Sequence, residues 1–164
     1  MPESMAVIDR LLAATNAHDL EALVACFAPD FRNETPAHAG RGFVGSEQVR
    51  TNWSRIFAGV PDIKAEVLRA VVDDDGAVWT EWEMRGTRPD GVPHLMRGVI
   101  IFGLEGDRIS WNRFYLEPVD AGEGGADAAV CRIVSPEASN VVSPEASNVV
   151  SPEASNVVAP EVGR

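Results

Sequence analysis

Ser46–Val72 reads SEQVRTNWSRIFAGVPDIKAEVLRAVV, and its period changes once along its length. In its first half Val49, Trp53, Ile56 and Phe57 recur at i, i+4, i+7 and i+8. That spacing describes one face of an amphipathic helix, with Ser46 placed to cap it. Gly59 and Pro61 stop the helix. From Ile63 the apolar period is 2, which predicts a strand as far as Val72. The switch at Pro61 divides the chain, with helices before it and strands after it.

Upstream, Ser4 is placed to cap a helix carrying Met5, Ile8, Leu11, Leu12 and Thr15 at helical spacing. The run Asn16-Ala17-His18-Asp19 breaks it. Asp19 then caps a second helix with Leu20, Leu23, Val24 and Phe27 on one face, ended by Pro29. Phe31 to Thr35 reads as extended, because Pro36 disfavours helix in the residue before it. His38 to Gly45 is glycine-rich and reads as loop. Downstream, Asp73-Asp74-Asp75-Gly76 forms a turn into a strand from Ala77 to Arg88. Asp90-Gly91 and Gly106-Asp107 mark two more turns, into strands from His94 to Leu104 and from Arg108 to Glu117. Helices followed by strands predict an α+β fold, with three helices covering one face of a curved, mainly antiparallel sheet.

The chain has 164 residues and a formal net charge of −11, with 45% hydrophobic and 24% charged residues. Its six Phe, four Trp and one Tyr all lie between Phe27 and Tyr115. A terminal stretch without aromatics contributes little to a packed core. The sequence therefore divides into a domain over residues 1–119 and a tail over 120–164. The domain holds 18 acidic and 12 basic residues, a net of −6. The tail holds 7 acidic and 2 basic, a net of −5. From Ile133 an eight-residue unit recurs, with Pro136, Pro144, Pro152 and Pro160 at equal spacing. Prolines at that interval exclude a long helix, and Val-Val pairs are too few to offset ordering entropy. The tail reads as linker followed by disordered octapeptide repeats.

Neither part is basic, which argues against nucleic acid and against an anionic membrane surface. No apolar run reaches the roughly 18–20 residues of a membrane span. Glu3, Asp9 and Arg10 interrupt any N-terminal apolar stretch, so a cytoplasmic location is the expectation. Cys26 sits in an apolar pattern and reads as a buried structural thiol. Cys131 lies far from it in sequence, in the tail. No metal-ligand spacing is present, and neither a metal nor a cofactor is expected.

Three stretches carry a family resemblance. They are Leu11–Leu20 running on to Phe31, Val78–Thr87, and Arg108–Pro118. In this order and spacing they resemble the SnoaL-like branch of the NTF2-like superfamily. The resemblance implies a cone, a strongly bent sheet wrapped on helices around an internal pocket. It also implies relatives among ketosteroid isomerases, polyketide cyclases and epoxide hydrolases, so fold alone does not choose the reaction. At the position of the isomerases' Asp base this chain has Thr35, and at that of their catalytic Tyr it has Leu11. At the positions of the epoxide hydrolases' Arg and two Asp it has Trp82, Met84 and Phe114. The residues that help position water in that family fall at Arg32 and Glu34.

What carries over is a pocket without the familiar triads. Glu34 is the acid/base candidate and Arg32 its orienter; a plain surface ion pair between the two is the alternative. Trp53, Trp82, Met84, Asn112 and Phe114 form the expected substrate wall. With Trp82 and Met84 facing the pocket, strand alternation places Thr80 with them and Asn112, Phe114 and Leu116 inward, whereas a β-bulge in either strand would put Glu83 and Arg85 in the pocket instead. The same alternation places Glu81, Glu83, Arg85, Arg113 and Glu117 outward as a charge ladder. Trp79, Trp111 and Tyr115 on that outer face imply a homodimer interface, a face the superfamily commonly uses for a second subunit. Two functions follow. One is a cofactor-independent isomerase, cyclase or hydrolase acting on a hydrophobic small molecule. The other is a non-catalytic ligand-binding or dimerisation module.

Overall fold

The computed structural model describes residues 3–120, 122 and 124–135. The octapeptide repeats from Pro136 onward lie outside the described residues. By its contacts the chain divides after residue 121 into two units.

In the first unit, helix α1 spans Glu3–Ala17 and α2 spans Leu20–Ala25. Strand β1 is Phe27–Glu34, followed by a 3-10 turn at Pro36–Arg41 and a two-residue strand β2, Phe43–Val44. Helix α3 is Ser46–Gly59. Four strands follow: β3 Lys64–Val72, β4 Val78–Thr87, β5 Pro93–Glu105 and β6 Arg108–Pro118. They form one curved six-stranded sheet in the order β2-β1-β6-β5-β4-β3. Every pairing is antiparallel except β1 with β6, which is parallel. The α+β architecture and the helix-to-strand switch at Pro61 are those the sequence predicts.

Some boundaries differ from expectation. Helix α2 ends at Ala25, and Phe27 opens β1 instead of completing the helix face. Pro29 explains this, because it disfavours helical backbone in Ala28 and extends the chain earlier. The glycine-rich loop contains the 3-10 turn and β2, which pairs Val44 with Arg32 and Phe43 with Asn33. Gly45 caps α3 at a φ of +100°, a left-handed region suited to glycine, and Ser46 is the first helical residue. Asp19 caps α2 as predicted, accepting a hydrogen bond from the Ala22 N–H at 2.9 Å.

The end of α1 is fastened to the sheet edge by its own polar side chain. Asn16 Nδ2 donates to the Ala65 carbonyl at 2.9 Å, and the Ala65 N–H donates to Asn16 Oδ1 at 2.7 Å. The side chain thus pairs with the exposed edge of β3 as a strand would. Beside it, His18 takes a φ of 56°, stacks on Phe57, and sets its Nε2 at 2.8 Å from the Ile63 carbonyl.

The core fills the concave side of the sheet. Val7, Ile8 and Leu11 of α1 and Leu23 of α2 meet Phe31, Val78, Trp82, Phe102, Ile109 and Leu116 of the strands. Alternation along β4 runs unbroken against β5, so Thr80, Trp82 and Met84 face the helices. Trp82 is 1% exposed, and its Nε1 donates to Thr80 Oγ1 at 2.7 Å. Thr80 Oγ1 donates in turn to the Ile100 carbonyl at 2.6 Å. This chain satisfies the indole inside the core. Cys26 is buried and free, and burial pushes its thiol pKa up.

The second unit contains helix α4, Ala126–Val134, where the sequence reading had linker and the first repeat. The segment is alanine- and valine-rich, with Asp127 in its first turn and Arg132 in its last, an arrangement matched to the helix dipole. Pro136 follows two residues after its end.

Candidate functional site

A cavity of about 600 Å³ opens between α3 and the concave face of the sheet. Phe27, Phe31, Val49, Val60, Ile63 and Leu116 form much of its buried floor. Phe43 of β2, Trp53 and Ile56 of α3, and Met96 of β5 stand higher on the walls. The aromatic rings pack against one another. Phe31 lies edge-on to Phe27 at 4.7 Å and to Phe43 at 5.9 Å, and Trp53 leans on Phe57 at 5.4 Å. An apolar lining with few polar groups is the common form of a small-molecule site.

Of the expected wall, Trp53, Met84, Asn112 and Phe114 line the cavity. Trp82 is not part of the lining; it is packed under it, with its nitrogen already bonded. Arg32 and Glu34 are also outside. Both are exposed, and the Glu34 carboxylate is hydrogen-bonded to Arg113 instead of Arg32. The reason is alternation. Phe31 points into the core, so Asn33 and Thr35 share its side while Arg32 and Glu34 point away. The polar residues that this segment turns to the cavity are therefore Asn33 of β1 and Thr35 just after it, with Asn33 Nδ2 donating to Thr35 Oγ1 at 3.1 Å.

The sequence reading missed further polar lining. Asn52 lies on the same helix face as Val49, Trp53 and Ile56. Arg41, Arg88, His94 and Glu117 form the rim. Glu117 does not join an outer charge ladder. His38 Nε2 lies 3.1 Å from its Oε1, and Arg41 Nη1 lies 3.8 Å from the same atom. Both partners come from the 3-10 turn, which packs beside the end of β6. Arg88 is paired with Asp90 at 2.6 Å. On the outer face Glu83 is held by Arg85 at 3.1 Å and by Arg97 Nε at 2.7 Å.

Asn112 is the unusual group of the floor. It is 6% exposed, and its Oδ1 is buried with no hydrogen-bond partner among the described residues. Among the described residues, no group of three or more His, Cys, Asp or Glu is placed to hold a metal ion. No helix among them is long and apolar enough to cross a membrane.

The SnoaL-like domain family matches residues 8–112, the stretch from α1 to the cavity floor on β6. The chain belongs to this family. As a SnoaL-like domain it also has many structural neighbours. RV0760c from Mycobacterium tuberculosis, solved in complex with estradiol-17β-hemisuccinate, is 18% identical at a TM-score of 0.62, covering 70% of this chain and 94% of that one. A putative SnoaL-like polyketide cyclase from Shewanella denitrificans is 13% identical at a TM-score of 0.59, covering 71% and 92%. A hypothetical protein from Catenulispora acidiphila with a ketosteroid isomerase-like fold, in complex with trimethylamine, is 20% identical at 0.54, covering 66% and 84%. At these identities the likeness is one of fold. No curated protein matches the chain.

Proposed function

We propose that this SnoaL-like domain binds a largely apolar small molecule in the cavity between α3 and the sheet. The observation that carries the reading is the cavity itself. A space of about 600 Å³ is lined by Phe27, Phe31, Val49, Ile63, Met84 and Leu116, all of them buried. The complex of RV0760c with a steroid ester and the polyketide cyclase-like neighbour point toward ligands of the same general character. The test is a titration with N-phenyl-1-naphthylamine, an uncharged probe that fluoresces in apolar surroundings. The expected result is saturable binding at one probe per chain, abolished by Ile56→Trp, which fills the cavity from α3. Absence of saturable binding overturns the reading.

The finer reading is acid/base conversion of that ligand by isomerisation, cyclisation or hydration. Its carboxylate is Glu117, supported by the contact with His38 at 3.1 Å on the cavity rim. A carboxylate paired with an imidazole beside an apolar space is suited to moving a proton. The test is deuterium exchange from D2O into the α-positions of 2-tetralone, followed by NMR. Acceleration over buffer that disappears in Glu117→Gln supports turnover, and no acceleration in the unaltered protein overturns it.

We also read the outer sheet face as a homodimer interface. Val71 and Trp79, register partners on β3 and β4, are 62% and 44% exposed, and Tyr115, two strands across on the same face, is 40% exposed.

A further inference from the structure

Asn112 limits what the ligand is. It sits in β6 with Asn33 as its register partner on one side and Phe102 on the other. Among the buried residues lining the cavity, Asn112 and Thr35 are the polar ones. The Thr35 hydroxyl oxygen already accepts from Asn33. Asn112 Oδ1 has no partner among the described residues. A buried carbonyl oxygen left without a donor costs stability, and native interiors rarely leave one so. That oxygen is already enclosed in the free protein, and a ligand of hydrocarbon alone would leave it unsatisfied. An apolar Leu or Val in the same place would serve such a ligand better.

We propose that the ligand carries a hydroxyl or N–H donor on an otherwise apolar skeleton, and that Asn112 Oδ1 accepts its hydrogen bond. This rests on the cavity being the ligand site. The terminal torsion of asparagine is broad in energy, so the carboxamide turns to meet the donor without leaving its rotamer. The consequence is selectivity. A site built around a polar group rejects the analogue that lacks it more strongly than an apolar pocket rejects a change of one methylene. Phenolic or alcoholic polycycles and N–H heterocycles fit the class, while their ethers and parent hydrocarbons do not.

The test compares three ligands of one skeleton by equilibrium dialysis: 2-naphthol, 2-methoxynaphthalene and naphthalene. The unaltered protein is expected to bind 2-naphthol at least about tenfold more tightly than the other two. In Asn112→Leu that preference falls to within about twofold, through weaker binding of 2-naphthol while naphthalene binds as well as before or better. Asn112→Val replaces it should Asn112→Leu fail to fold by circular dichroism. Thermal unfolding without ligand gives a second readout. Removing a buried carbonyl oxygen that has no donor leaves the melting temperature unchanged or raises it. A preference for 2-naphthol that survives the substitution overturns the proposal, as does equal loss of all three ligands. A clear drop in melting temperature also overturns it, because it shows the amide satisfied in the free protein. Binding of all three with equal affinity rejects the donor but keeps the cavity as a ligand site. Binding of none rejects the cavity reading, and the donor proposal with it.

Discussion

Arg113 Nε donates to Glu34 Oε2 at 2.9 Å across the parallel pair β1 and β6, on the side of the sheet turned away from the cavity. The guanidinium also lies over the Trp111 ring, 5.5 Å from its centroid. Glu34 is therefore part of an exposed outer-face cluster. The bond to Glu34 raises the Arg113 pKa, which keeps the guanidinium charged.

Glu34→Gln is accordingly expected to leave N-phenyl-1-naphthylamine affinity within about twofold of the unaltered protein. Its effect on stability should be small, as for exposed ion pairs at about 0–1 kcal/mol. Fluorescence titration and urea unfolding measure the two. A large loss of affinity would return Glu34 to the cavity.

Gly103 is held to glycine by the same outer face. A Cβ built there would lie 1.9 Å from Trp111 Nε1 and 2.0 Å from its Cε2. The indole lies against the bare backbone of β5, and any side chain must displace it. Gly103→Ala is expected to destabilise the domain by about 1–3 kcal/mol, the usual cost of overpacking. Urea unfolding measures it. The double variant with Trp111→Ala should recover much of the loss, because the clash is with that one ring.

Much of this architecture is legible before any coordinates. The switch of period at Pro61 and the turns at Asp73–Gly76 and Asp90-Gly91 are local signals, written in adjacent residues. The alternation that turns Met84, Asn112 and Phe114 inward is equally local. Strand β2 is not legible, since two residues carry no period and its pairing is made by β1. Asn33 and Thr35 obey the same alternation from Phe31. The family resemblance points instead to Arg32 and Glu34, which the same alternation turns to the other side of the strand. The His38–Glu117 contact joins distant segments and has no sequence signal. The unpartnered oxygen of Asn112 is a property of what surrounds it in space, which no spacing rule contains.

Stability should fall on the acid side through two aspartates. Trp79 Nε1 donates to Asp73 Oδ2 at 2.9 Å, and the Ala77 and Asp75 N–H groups donate to Oδ1 at 2.8 and 3.1 Å. The Trp79 bond foremost, then these backbone donors, hold the Asp73 carboxyl below the usual aspartate range. The Thr87 N–H, at 2.6 Å from Asp62 Oδ1, lowers Asp62 likewise. A lowered folded-state pKa stabilises fully above the unfolded value, about pH 4, and that stabilisation is lost as pH falls through the folded value. The stability difference between the unaltered protein and Asp73→Asn should be constant above about pH 5 and shrink below pH 4. Chemical unfolding at a series of pH values measures it, and a difference that grows on acidification contradicts the assignment.

The bond from Trp79 to Asp73 also fixes an indole on the outer face, where 44% of the residue is exposed. Val71 is its register partner on β3, and Tyr115 lies on β6 two strands across. A side chain already held in one rotamer loses little entropy when a partner covers it, which favours association. The full chain is expected to sediment as a dimer at micromolar concentration. Val71→Glu is expected to shift it to monomer with little change in probe binding, since Val71 faces away from the cavity. A chain that sediments as monomer across the concentration range would leave this face as ordinary exposed surface. A dimer untouched by Val71→Glu would place the interface elsewhere.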